Sequence, residues 1–267
     1  MKKLPYLACK SILVLFALFQ LATTATAQPA TAPAAAQPTP IYGVLSLIGD
    51  KLNVVVAQSQ TGTRIDANMR DSIEMVNAVF DDSAVSAVAI AMRKIDPKVE
   101  LAAINTRSTI LFEKQRTLFE QSGDKILIPV AIRDALKAQN ATHLFLITKR
   151  RDEARATFSS GRSDGKGRLE GLGFYLDGSM MTFVTETGAA GRGFIAPFAY
   201  FDIALVEVAS SRVIKKEKVT ASKPVSAGAA EKDIGNPWSA LSSSDKARLV
   251  DTLIRQEIAR VVPELMK

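Results

Sequence analysis

The sequence predicts an α/β fold: a mixed sheet with an opening hairpin and a late antiparallel hairpin, covered by helices on both faces, with the C-terminal helix packed on the sheet. Three stretches carry that prediction. Residues 142–148, Thr-His-Leu-Phe-Leu-Ile-Thr, form an almost unbroken apolar run. A strand apolar on both sides belongs in the middle of a sheet with helices above and below. Residues 201–208 alternate in strand fashion, and after Ser210-Ser211 a second strand at 212–221 sets Val213 and Val219 among Lys and Glu. Its charged face places it at or near an edge. Finally, Leu249, Val250, Leu253, Ile254, Ile258, Val261, Val262 and Leu265 make one apolar stripe at helical spacing.

The chain begins with Met1-Lys2-Lys3, an apolar stretch near 11–22, and Ala25-Thr26-Ala27, the pattern of a secretory signal peptide cleaved after residue 27. The apolar stretch is short of the ~20 residues a membrane span needs. No transmembrane helix is therefore expected once the leader is removed, and the expected location is the periplasm. Removing the three leader lysines from the formal charge of +7 leaves +4, too mild to argue for nucleic acid. The one cysteine, Cys9, lies in the leader, so the rest of the chain has no thiol, disulfide or cysteine ligand. Residues 28–40, rich in Ala, Pro and Thr, read as a tether, and 41–267 as a single α/β domain.

Within that domain, 42–48 and 52–56 around Gly49-Asp50 suggest the opening hairpin. The stretch 64–79 has no clear period. Asp81-Asp82 stand where N-caps would start a helix over 84–95, ended by Asp96-Pro97. A strand at 99–104, a helix at 108–121 and an amphipathic helix with Ile128, Ile132 and Leu136 lead to the apolar strand. From 152 to 199 the character changes. Nine of fifteen glycines fall at 161–193 and eight of seventeen aromatics at 158–201, which predicts a long excursion from the sheet. Ser242 with Asp245 resembles a capping box for the final helix.

Catalytic equipment is sparse. His143, the only histidine, sits at the mouth of the apolar strand, where a structural role is expected. No Walker loop, G-x-G-x-x-G or calcium loop occurs. The S-x-x-K matches Ser163/Lys166 and Ser243/Lys246 lack the further motifs of penicillin-recognising enzymes and read as coincidence. No catalytic residue, metal site or cofactor is expected. Arg64, Asp66, Asn68 and Asp71 form a polar cluster that suits either a binding loop or a solvated face. Phe174, Tyr175 and Asp177, with Phe194 and Phe198, are candidates for a partner-binding surface. Aromatics between glycines can anchor a partner, or they can fold back over the domain's own core.

The succession Ala135-Leu136-Lys137-Ala138-Gln139-Asn140-Ala141-Thr142-His143-Leu144-Phe145-Leu146 resembles the helix-to-strand step of bacterial envelope proteins of the curli-secretion (CsgG-like) and TolB amino-terminal type. Residues 201–219 are similar to that family's paired strands. Closer relatives are expected among uncharacterised exported bacterial proteins. The resemblance covers about 126–219 and implies a non-enzymatic module that binds partners at the envelope, sometimes in rings. This chain lacks the lipidated cysteine of the curli-secretion lipoproteins. The expected partner is an envelope protein or outer-membrane component. The alternatives are an envelope hydrolase working through acids such as Asp66 and Asp71, and an oligomeric assembly associated with the outer membrane.

Overall fold

One long strand carries the architecture. The structure, a computed structural model, describes residues 39–58, 66–158, 163–183, 190–226 and 237–267. The expected leader, nearly all of the tether, Arg64 and part of the glycine-rich stretch lie outside them. The long strand is β12 (Ala190–Glu207), 18 residues. Along one side it pairs first with β11 (Arg168–Phe183), up to Gly171 opposite Tyr200, and then with β7 (His143–Lys149), from Lys149 opposite Phe201. Along the other side it pairs with β13 (Arg212–Ser222) and β14 (Val225–Ser226). Next to β7 lie β1 (Ile41–Leu47) and then β4 (Glu100–Ala103), all three parallel. Next to β11 lie β2 (Lys51–Val56), parallel, and β3 (Met69–Glu74), antiparallel to β2. With β5 (Gln121–Ser122), β6 (Lys125–Ile126) and β8 (Arg151–Glu153), twelve strands join one mixed sheet among the described residues. β9 (Ala156–Thr157) and β10 (Ser163–Asp164) form a separate small pair.

The central strand is as predicted. Leu144 to Ile147 are 0–2% exposed between β1 and β12, and burying each such side chain is worth roughly 1.5–3 kcal/mol. The late hairpin β12–β13 is also present. The opening pair differs from expectation. β1 and β2 do not pair with each other; they run on in the same direction, one beside β7 and the other beside β11. The antiparallel partner of β2 is β3, whose residues are all exposed. The offset at Ile48-Gly49 is held by a buried carboxylate. Asp81 accepts from Ser46 Oγ (2.6 Å), Ile48 N (2.9 Å) and Gly49 N (3.2 Å). A side chain at residue 49 would press against Asp81, so glycine is required there. Asp81 is accordingly no N-cap: α1 (Val79–Ile95) begins earlier and places it in the first turn.

Successive side chains of a strand point to opposite faces, and β12 divides the core accordingly. Its odd residues Ile195, Ala199, Phe201, Ile203 and Leu205 lie in an apolar cluster with α1 and with α5 (Ser243–Leu265). The C-terminal helix thus packs on the sheet, its start capped by Ser242 Oγ accepting from Asp245 N (3.1 Å). The even residues face the other side and meet two covers in turn. Ala204 and Val206 lie under α2 (Thr109–Glu113), α3 (Gln115–Leu118) and α4 (Val130–Ala138). Phe194, Ala196, Phe198 and Tyr200 lie with Ala154, Ala156 and Phe158 from the β8–β9 stretch. The single helix expected over 108–121 is broken into α2 and α3 at Lys114.

The supposed excursion is largely sheet. β11 and β12 occupy most of 168–207, and Phe174, Tyr175, Phe194, Phe198, Tyr200 and Phe201 on them are interior. The physical reason lies in close strand approach: a Cβ at Gly173 would overlap the Asn53 carbonyl of β2. Glycine there lets two strands pack, and the neighbouring rings fill both faces.

Candidate functional site

Between the two covers of the even face a seam remains, and polar side chains fill it. Gln115 forms its floor. Its side-chain nitrogen donates to Leu47 O (3.1 Å) and Phe112 O (2.7 Å), and its oxygen accepts from Lys149 N (2.7 Å). One amide thus ties the ends of β1 and β7 to the first helical cover. Beyond Thr148 the central strand turns basic: Lys149, then Arg150 and, in β8, Arg151. The change occurs where β7 leaves the shelter of the helices, so its last side chains meet solvent and acids.

Lys149, almost buried, pairs with Asp50 and lies 6.0 Å from the Phe112 ring centre. Arg150 grips Asp152 through two nitrogens (3.0 and 2.7 Å) and reaches Asp202 (3.2 Å), whose other oxygen holds Lys216 (2.9 Å). Burial opposes the Arg150 charge, yet Asp152 and Asp202 outweigh it and hold the group above its ordinary pKa. Arg150 in turn draws Asp152 below the usual carboxylate range, helped by Glu153 N–H. Asp66 receives Arg70 on one oxygen (2.5 Å) and Arg151 on the other (3.0 Å). Burial pushes its carboxyl upward, but the two guanidinium groups prevail and hold it below the usual range. Arg116 pairs with Glu170 (3.0 Å). Arg70 also donates to the backbone carbonyl of Arg168 (2.9 Å). The Arg168 guanidinium itself has no acid within ion-pair distance among the described residues.

The seam opens into two adjoining hollows of about 400 and 430 Å³. Gln115, Arg116, Lys149, Arg151 and Arg168 border both. Ligand-sized clefts at the carboxyl ends of sheet strands are common binding places, and this one is cationic.

Of the described members of the expected polar cluster, only Asp66 meets the cleft, through its ion pairs with Arg70 and Arg151. Asn68 donates to Lys166 O (2.5 Å) and accepts from Gln58 N (3.4 Å), a structural brace. Asp71 lies on the exposed strand β3 and accepts from Ser72 N (2.8 Å). The expected partner surface is a correction: Phe174, Tyr175, Asp177, Phe194 and Phe198 are each at most 2% exposed. Tyr175 Oη accepts from Lys166 N (2.9 Å), and Asp177 accepts from Ser179 N (2.8 Å) and Oγ (2.5 Å). His143 shares a hydrogen bond with Thr142 Oγ1 (2.9 Å) and stacks on Tyr42 at 5.1 Å. Burial lowers its pKa, with Glu207 working the other way. Lys246 donates to Leu241 O (2.8 Å) and lies 4.0 Å over the Trp238 ring, so the Ser243/Lys246 match is packing at the start of α5.

Among the described residues no three His, Cys, Asp or Glu side chains gather as a metal site, and no helix is long and apolar enough to cross a membrane.

No family model matches the sequence, and no curated protein matches it. Three solved structures are similar to this chain. One is a Xanthomonas campestris protein of the family DUF330 (12% identity, 86% of each chain covered, TM-score 0.36). Another is a Helicobacter pylori protein described as a homologue of a neuraminyllactose-binding hemagglutinin (7% identity, 85% of this chain and 83% of that one, TM-score 0.39). The third is a hypothetical protein from Chlamydia trachomatis (9% identity, 84% and 96% covered, TM-score 0.30).

Proposed function

We propose that this chain is an exported, non-enzymatic binding module of the bacterial envelope, working in the periplasm, with the cationic cleft as its contact site. The observation that carries this reading is the seam itself: a preformed hollow bordered by Arg116, Lys149, Arg151 and Arg168, the first three each held by a different acid. The leader-like start and the resemblance of residues 126–219 to curli-secretion and TolB-type domains support the compartment. The hydrolase alternative draws nothing from Asp66, whose carboxylate is occupied by two arginines. The oligomeric alternative has one observation in its favour, the bare strand β3, six exposed residues paired on one side only among the described residues.

The test is photo-crosslinking in whole cells, comparing the wild-type chain with an Arg151→Glu/Arg168→Glu double variant. The wild type should fractionate with the periplasm after shortening at Ala27 and should capture an envelope component that the variant does not. Recovery of the unshortened chain from the cytoplasm, or equal capture by a folded variant, would overturn the reading.

A further inference from the structure

Arg70, Arg151 and Arg168 meet at one place. Arg70 and Arg151 share the Asp66 carboxylate, and Arg70 also bonds the backbone of Arg168. All three border the hollow of about 430 Å³. Arginine does not deprotonate in proteins. Three guanidinium charges against one carboxylate therefore leave a local charge of +2, facing open volume. Of the other charged groups on that wall, Arg116 and Lys149 are matched by Glu170 and Asp50, and Lys51 and Glu113 add one charge of each sign, so the excess stands.

We infer that this hollow is a receptor for a phosphomonoester dianion. The inference rests on the cleft being the contact site, and it names what the cleft holds. A phosphomonoester carries about −1.5 to −2 near neutral pH and offers three acceptor oxygens. It balances the local excess, whereas a carboxylate or a phosphodiester, with one charge, leaves half of it uncompensated. Guanidinium forks match tetrahedral oxyanions two bonds at a time. Arg168 supplies the fork that no acid of the described chain occupies, Arg151 reaches in from β8, and Asp66 fixes Arg70 and Arg151 in advance. The phosphate can belong to a soluble ester or to a lipid headgroup, which present the same chemistry.

Calorimetric titration of the full chain with phenyl phosphate, and flotation with phosphatidylcholine vesicles containing phosphatidic acid, test it. Phenyl phosphate should bind, Arg168→Gln and Arg151→Gln should each weaken it by at least about tenfold, and dimethyl phosphate should bind at least about tenfold more weakly. Lys94→Gln, on the exposed side of α1, should change nothing. Flotation that Arg168→Gln abolishes identifies a headgroup source; titration without flotation identifies a soluble ester. Both support the dianion receptor. Absence of binding in both arms, or binding that an Arg168→Gln protein of unchanged melting temperature retains, overturns it. In that event, loss of in-cell capture by the double glutamate variant would still uphold the envelope module, so the two ideas fail separately.

Discussion

Two buried polar side chains hold the frame around the cleft, and each carries a measurable load. Burial raises the Asp81 carboxyl to about 6, even though Ser46, Ile48 and Gly49 hydrogen-bond to it. Its unfolded value is about 3.9, so the folded state binds the proton more tightly. Its contribution is then fully present below about pH 4 and is lost as pH rises through about 6, a change of at most roughly 3 kcal/mol. The expected outcome is that the stability difference between wild type and Asp81→Asn shrinks or reverses from about pH 4 to about pH 7. Urea unfolding at several pH values measures it, and a difference independent of pH would sink the idea. Gln115 carries three hydrogen bonds at the floor of the seam. Gln115→Leu removes all three of these bonds, at an expected cost of roughly 2–4 kcal/mol. The same variant should bind ligand less well, because the end of β7 positions Lys149 and Arg150.

At the scale of elements, the parts legible in the sequence were those whose signal is local. The apolar run of β7, the alternation around Ser210-Ser211 and the stripe of α5 each report their own burial by period alone. β11 and the first half of β12 were not legible, since the reason for Gly173 is the Asn53 carbonyl on a distant strand. Glycine beside aromatics therefore read as loop. Gly173→Ala should displace β2 from β11 and destabilise the protein by at least about 1–3 kcal/mol, seen as a lowered melting temperature. β3 was invisible because Met-Arg-Asp-Ser-Ile-Glu is exposed throughout and so has no buried period. The cleft was half visible. Lys149-Arg150-Arg151 stands out at the end of the one wholly apolar strand, but Asp50, Asp66, Arg116, Arg168, Asp202 and Lys216 reach it from separate segments, and no spacing announces that meeting.

Over the whole molecule, all three apolar clusters draw side chains from β12. Loss of one cluster therefore frees a strand on which the others depend. Unfolding should be a single transition. Trp238, the only tryptophan, lies edge-on to Phe174 on the odd face, so its fluorescence reports that face while far-ultraviolet circular dichroism reports the entire chain. Coincident curves are expected; two separated midpoints would refute the coupling.

The even face, by contrast, is roofed by two independent pieces, one helical and one made by the segment after β7. Changes at Arg151 of β8 or Arg116 of α3 would remodel the border of the hollow while the sheet behind it stands. Ligand choice can thus drift quickly in such a scaffold while its foundations stay put.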